Sequence, residues 1–209
     1  INFIVLNKRT TILEFGSGWS SLIFSIALNE LKKKYYKDIS ELRRNNPFEL
    51  FILENDKKFL KITKKRIDDY NKKNSLSSNT KYNFSNVKMT EYNGKISTEY
   101  ESLPLCNPDF IYIDGPDQFK IKGKVNGFST KHKDLMPMLC DVLKCEYFYM
   151  PGTIIVVDGR GANANFLKNN LSRNWNYKND IVNDQHIFYL NEPPIGKYNN
   201  LQLKFYKKK

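Results

Sequence analysis

Cysteine is scarce in this chain of 209 residues: Cys106, Cys140 and Cys145 are the only three. None forms a C-x-x-C pair and none lies near a histidine cluster. An odd count without metal-ligand spacing argues against a disulfide framework or a Cys/His metal site, and for reduced thiols in a cytoplasm. No apolar run reaches the ~20 residues that a membrane helix needs. The N-terminus carries no basic, apolar and cleavable signal segment. An initiator Met is also missing, so a preceding N-terminal part is expected. Repeats and linkers rich enough to divide the chain are absent, and its length fits one domain of about 100–200 residues. Acidic residues are outnumbered, 22 Asp+Glu against 34 Lys+Arg, for a formal net charge of +12. That field favours anionic partners such as nucleic acid, phosphorylated sugars or acidic membrane surfaces. Lys and Asn are nevertheless spread over loops and helix faces alike, which also fits compositional bias and solubility.

What is present is alternation of strand and helix patterns, the mark of an α/β fold. Residues 11–15 (TILEF) form a short apolar run ended by Gly-Ser-Gly and read as a buried strand. Residues 19–31 follow with helical spacing at Leu22, Ile23, Ile26, Ala27 and Leu31, and the charged stretch 32–46 extends that helix before a loop. A second buried run, 48–53 (FELFIL), ends at Glu54. Asp56 is suited to cap a helix through Tyr70 with Phe59, Leu60, Ile62, Ile67 and Tyr70 on its inner face. Residues 71–83 are polar and read as a loop, and 87–92 as a weakly marked third strand. Residues 109–113 (DFIYI) give a clear strand cut off by Asp114-Gly-Pro. A long basic loop is expected over 117–133, then a helix over 134–148, a fifth strand over 153–157 (TIIVV) and a helix over 162–171. Residues 175–181 and 186–190 pair as closing antiparallel strands, and 196–209 is a basic tail. The expected architecture is one doubly wound, mostly parallel sheet of seven strands.

Chemistry-bearing residues fall at the strand ends. Glu14-Phe-Gly16-Ser-Gly18 joins a strand to a helix, where glycine permits a tight turn with positive φ and close approach of a ligand to bare backbone. Beyond it the helix N-terminus offers unpaired N–H groups. Glu54 ends the second strand, and a carboxylate there can accept hydrogen bonds from both hydroxyls of a ribose. Asp114-Gly115-Pro116 follows the fourth strand and Asp158-Gly159-Arg160 the fifth. Four strand ends thus carry acids, Glu14, Glu54, Asp114 and Asp158, which a doubly wound sheet makes converge on one crevice. The bland alternative at each place is an ordinary turn or a solvated acid.

From residue 11 to residue 190 the chain resembles the class I S-adenosylmethionine-dependent methyltransferases, whose sheet is Rossmann-like with a seventh, antiparallel strand. ILEFGSG resembles the first motif of that family, ELFILEND the second, DFIYIDGPD the fourth, and PGTIIVVDG the strand after it. The resemblance implies cofactor contacts from Glu14, Gly16, Ser17, Gly18, Glu54 and Asp114, with Gly16 and Gly18 under the amino-acid part, Glu54 on the ribose and Asp114 beside the methylsulfonium. Glu91 or Tyr92 is the position that would flank the adenine, in a third motif too degenerate to assign. A dinucleotide enzyme calls for a third glycine three residues after Gly18; this chain has Ser21 there. S-adenosylmethionine has no pyrophosphate and leaves that position free.

The implied reaction is in-line displacement at the methyl carbon. The protein then aligns the nucleophile and, where that is a hydroxyl, removes its proton. Candidate bases are Asp114, Asp117, His132 and Asp158, although a lone His in a Lys-rich segment is more often solvated, and His186 at a strand start reads as structural. Some small-molecule members of the family hold Mg²⁺ through acids after the fourth and fifth strands. Asp114 and Asp158 match part of that set, but Gly159 stands where an Asn is wanted, so no metal site is assigned. Residues 120–133 can close over an anionic substrate, with Phe119 and Phe128 packing on a ring. The expected activity is O- or N-methylation of a small anionic or carbohydrate-type acceptor. RNA methylation is the alternative drawn from the net charge and the tail 204–209, and a non-catalytic cofactor-binding protein on the same fold is a third.

Overall fold

Every side chain of TILEF is buried, on both faces of the strand, so that run needs protein above and below it. The computed structural model describes residues 2–208 and supplies both layers. In chain order the elements are α1 (Asn2–Leu6), β1 (Thr11–Phe15), α2 (Trp19–Ile39), β2 (Glu49–Glu54), α3 (Lys57–Lys73), β3 (Asn79–Phe84), β4 (Val87–Tyr92) and β5 (Lys95–Tyr100). There follow β6 (Phe110–Ile113), β7 (Ile121–Lys122), α4 (Asp141–Lys144), β8 (Ile154–Asp158), α5 (Gly161–Lys168), β9 (Trp175–Asp180), β10 (Gln185–Leu190) and α6 (Lys197–Lys207).

A seven-stranded sheet runs β3-β2-β1-β6-β8-β10-β9, and β5-β4-β7 form a separate three-stranded sheet. In the large sheet β10 is antiparallel to both its neighbours and the other pairings are parallel. The two-residue period of the strands sorts the core. Ile12, Leu50, Ile52, Phe110, Tyr112 and Val156 pack with α2, Ile67 of α3 and Phe205 of α6. Leu13, Phe15, Leu53, Ile111, Ile113 and Val157 pack on the other face with β4, β5, α4 and α5. The fold is therefore α/β, with helices flanking both faces of a mostly parallel sheet.

Register brings the strand ends level. Phe15 is opposite Leu53 on one side and Ile113 on the other, and Ile113 is opposite Val157. Gly16, Glu54, Asp114 and Asp158 thus each come one residue past a shared line. The chain leaves β1 toward β2 on one side and returns as β6 on the other, and such a switch point opens a crevice at the carboxyl edge. Asp56 caps α3 as expected, its Oδ1 accepting from the Lys58 and Phe59 amides at 2.7 and 3.4 Å.

Several expectations change. Residues 79–84 are not loop but the edge strand β3, paired only with β2, where main-chain bonds suffice and polar side chains face out. Residues 87–92 are a strand, but in the small sheet, paired with the unforeseen β5 through a turn at Asn93 and Gly94 with φ of +49° and +72°. The helix expected over 134–148 shrinks to α4 and one 3₁₀ turn, because residues 138–140 bond instead to β5: Thr98 N to Met138 O at 2.8 Å and Cys140 N to Thr98 O at 3.0 Å. The loop 117–133 is pinned by β7, with Ile121 buried beside β4. The basic tail is the docked helix α6, with Phe205 buried against Tyr35. On α3, Phe59 and Ile62 are exposed, and Thr63 and Ile67 are the buried residues. Among the described residues no helix is long and apolar enough to cross a membrane.

Candidate functional site

The bend after β1 depends on Gly16, which holds φ +99° while its amide donates to Leu53 O at 2.8 Å. Asp114 N donates to Phe15 O at 2.9 Å, so the loop after β6 lies against this bend, Gly115 on Gly16. Gly18 is different. Its φ of −174° is extended backbone open to any residue, and an added Cβ would meet only Ser20 Oγ, at 3.9 Å. The expectation of positive φ thus holds for Gly16 and not for Gly18; the missing side chain at Gly18 leaves space at the start of α2.

Glu14 is fully buried beneath the bend. Its Oε1 accepts from Ser20 Oγ at 2.5 Å, and its Oε2 has no partner. Burial pushes its pKa up to about 8; the Ser20 and Ser21 hydroxyls pull it down, and Asp114 and Glu54 push it up. The carboxyl is therefore mostly protonated at neutral pH. Glu54, only 4% exposed, accepts from Ser17 Oγ at 2.7 Å and from the Asn55 and Asp56 amides at 2.7 and 2.8 Å. Its burial raises its pKa and these bonds draw it back. Asn55, unnoticed in the sequence, ties β2 to the loop after β6. Its Nδ2 donates to Asp117 O at 3.2 Å and its Oδ1 accepts from Asp117 N at 3.0 Å.

Arg160 closes the other side. It donates from Nη2 to Asp114 O at 2.7 Å and from Nη1 to Pro116 O at 3.2 Å, and its Nε lies 3.7 Å from Asp114 Oδ1. Partial burial raises the Asp114 pKa, which Arg160 lowers and Asp158 raises again. A cavity of 310 Å³ lies among these groups, lined by Gly16, Ser17, Glu54, Phe59, Asp114, Gly115, Asp117, Gln118, Phe119 and Arg160. A second, of 340 Å³, shares Asp114, Gln118 and Arg160 with it and adds Met136, Asp158, Gly159 and Asp184. Asp158 is held by the Tyr112 hydroxyl and by Gln185 Nε2 at 3.2 Å. The Tyr112 hydroxyl, buried against that carboxylate, is pushed far above its usual pKa.

Of the residues singled out in the sequence, Gly16, Ser17, Glu54, Asp114, Asp117 and Phe119 line the first cavity, and Asp158 the second. Glu14 and Gly18 line neither. His132 is exposed, 3.7 Å from Asp134 Oδ2, and lines neither cavity; only its carbonyl approaches the crevice, accepting from Gln118 Nε2 at 3.0 Å. Phe128, Glu91 and Tyr92 also lie outside both linings, and His186 bonds to the Tyr177 hydroxyl at 2.8 Å. Phe59 and Arg160 are site residues that sequence reasoning missed. Phe59 had a place on the inner face of α3, and Arg160 was only the tail of Asp-Gly-Arg. Among the described residues no three His, Cys, Asp or Glu side chains come together as metal ligands.

Acids outnumber bases in the lining of this crevice. The first cavity has three carboxylates, Glu54, Asp114 and Asp117, against the one guanidinium of Arg160. The second has Asp114, Asp158 and Asp184 against the same Arg160. A chain of net charge +12 thus keeps an acidic crevice at its switch point, which suits a ligand bearing positive charge and repels phosphates. No protein-family model matches this chain, and no curated protein matches it.

Proposed function

We propose that the chain binds S-adenosylmethionine in the 310 Å³ cavity and transfers its methyl group to an acceptor in the adjoining one. The observation that carries the reading is the acidic crevice itself, floored by the Gly16 bend and set between Glu54 and Asp114. A dinucleotide would bring a pyrophosphate into a ring of carboxylates. S-adenosylmethionine brings a sulfonium and an ammonium against a single carboxylate, so its net charge is positive. The seventh strand of the large sheet, β10, is also the antiparallel one, in keeping with the resemblance of the sequence.

The residues fit the group. A carboxylate offers about four acceptor positions; Glu54 uses three, on Ser17, Asn55 and Asp56, and keeps one for a ribose hydroxyl. Phe59 and Phe119 place exposed rings in the cavity wall, suited to a flat base. When bound, the cofactor supplies an activated methyl group on a good leaving group. Asp114, at the junction of the two cavities, is placed to take a proton from an acceptor hydroxyl or ammonium, and Asp158 to hold the acceptor. The acids around the second cavity favour a neutral, hydroxyl-bearing or amine-bearing acceptor, carbohydrate-type included, over the anionic one suggested by net charge. No step falls to His132, whose ring is exposed.

Titration calorimetry with S-adenosylmethionine, S-adenosylhomocysteine and NADH tests this. Binding of the first two and not the third is expected; tighter binding of NADH, or no binding of either adenosyl compound, removes the reading.

A further inference from the structure

On the face of the sheet away from α2, a separate cavity of 400 Å³ opens between β1, residues 103–108 and residues 145–149. Leu13, Phe15, Leu103, Leu105, Cys106 and Tyr149 are among its walls, and none of its lining residues lines the crevice. We propose that this cavity binds a neutral, apolar small molecule: a fused ring or an alkyl chain without a charged headgroup.

Size and chemistry agree. The volume falls within the ~300–1,000 Å³ of ordinary small-molecule sites. No charged side chain is among the lining residues. Burial pushes the Cys106 thiol up to about 12 and raises that of Cys145, so both stay protonated and behave as small apolar groups. Arg44, whose charge acts on the Cys106 thiol, is already committed. Its Nη2 donates to Asn107 O at 2.7 Å and lies 3.6 Å from Asp109 Oδ2, so its charge is already shared with a carboxylate. Around the opening Leu105 is 97% and Phe148 80% exposed, apolar surface that an occupant would remove from water. An extended peptide is a poor occupant. The wall at 103–108 belongs to no strand, and Pro104 and Pro108 lack the N–H groups that strand addition uses.

The test uses the full chain and the neutral fluorophore phenylnaphthylamine. One saturable site per chain is expected, from which dodecanol displaces the fluorophore and dodecanoate does so far less well. With the fluorophore at about ten times its Kd, alkylation of Cys106 and Cys145 by N-ethylmaleimide, mapped by mass spectrometry, slows about tenfold. Cys106→Phe, which fills the space, abolishes binding. Thiol protection on the unaltered chain keeps the proposal testable should that variant fail to fold. Unchanged alkylation with fluorophore bound, displacement by S-adenosylhomocysteine, or equal displacement by dodecanoate would each overturn the proposal.

Discussion

The backbones of Gly16 and Gly115 touch. A Cβ on Gly115 would lie 2.6 Å from the Gly16 nitrogen, and one on Gly16 would lie 2.8 Å from the Gly115 nitrogen. Neither neighbour can swing aside, because each is main chain held by a parallel strand. Gly16→Ala and Gly115→Ala should each lower stability by more than about 2 kcal/mol, from overpacking and, at Gly16, from positive φ as well. Gly18→Ala, at an extended position with open space, should stay within about 0.5 kcal/mol of wild type. Urea melts of the three variants check this; equal losses at all three would deny the distinction.

Glu54 serves both the loop and the proposed ligand. Glu54→Ala should weaken S-adenosylhomocysteine binding by about 1–3 kcal/mol, the cost of hydrogen bonds left unmade. Calorimetry gives the number directly. Unchanged affinity in a folded variant would show that the ribose lies elsewhere.

Glu14 gives a stability that depends on pH with a definite sign. Its pKa is about 8 in the folded chain against 4.5 for an ordinary glutamate. Between these values the folded state holds a proton that the unfolded state has lost. Stability from this group is therefore full below the lower value and falls as pH rises toward about 8, by about 1.4 kcal/mol per pH unit. Glu14→Gln, neutral at every pH, should remove that slope and be more stable than wild type near pH 8. Denaturant melts across pH 5 to pH 8 measure it, and parallel curves for the two proteins would refute the assignment.

Arg160 acts on Asp114 through charge and on residues 114–116 through carbonyl bonds, and substitution can separate the two. Arg160→Ala should raise the Asp114 pKa further above its ordinary value, since the cation that lowers it is gone. Arg160→Lys keeps the charge but not the paired bonds to Asp114 O and Pro116 O, so the pKa should change little while amide exchange in the loop quickens. NMR titration of the Asp114 carboxyl distinguishes these outcomes.

Legibility of the chain followed the strength of its local signals. TILEF, FELFIL and TIIVV are strands because runs that short and apolar must be covered on both faces, and Asp56 announces its own helix. The polar strand β3 had no such signal, since a sheet edge recruits backbone and not side chains. Asn93-Gly94 does carry one, the dipeptide of a tight hairpin, which joins β4 to β5. Acids at strand ends were equally readable, as was the Gly16 turn. Tertiary structure alone decided which of them meet. Register set Gly16, Glu54, Asp114 and Asp158 level, and the folding-over of residues 114–117 brought Arg160 and Asn55 to them. It also left the His132 ring in solvent and Phe59 in the cavity wall. The physical reason is range: propensity and periodicity act over a few residues, whereas a crevice at a switch point is made by strands paired across a hundred.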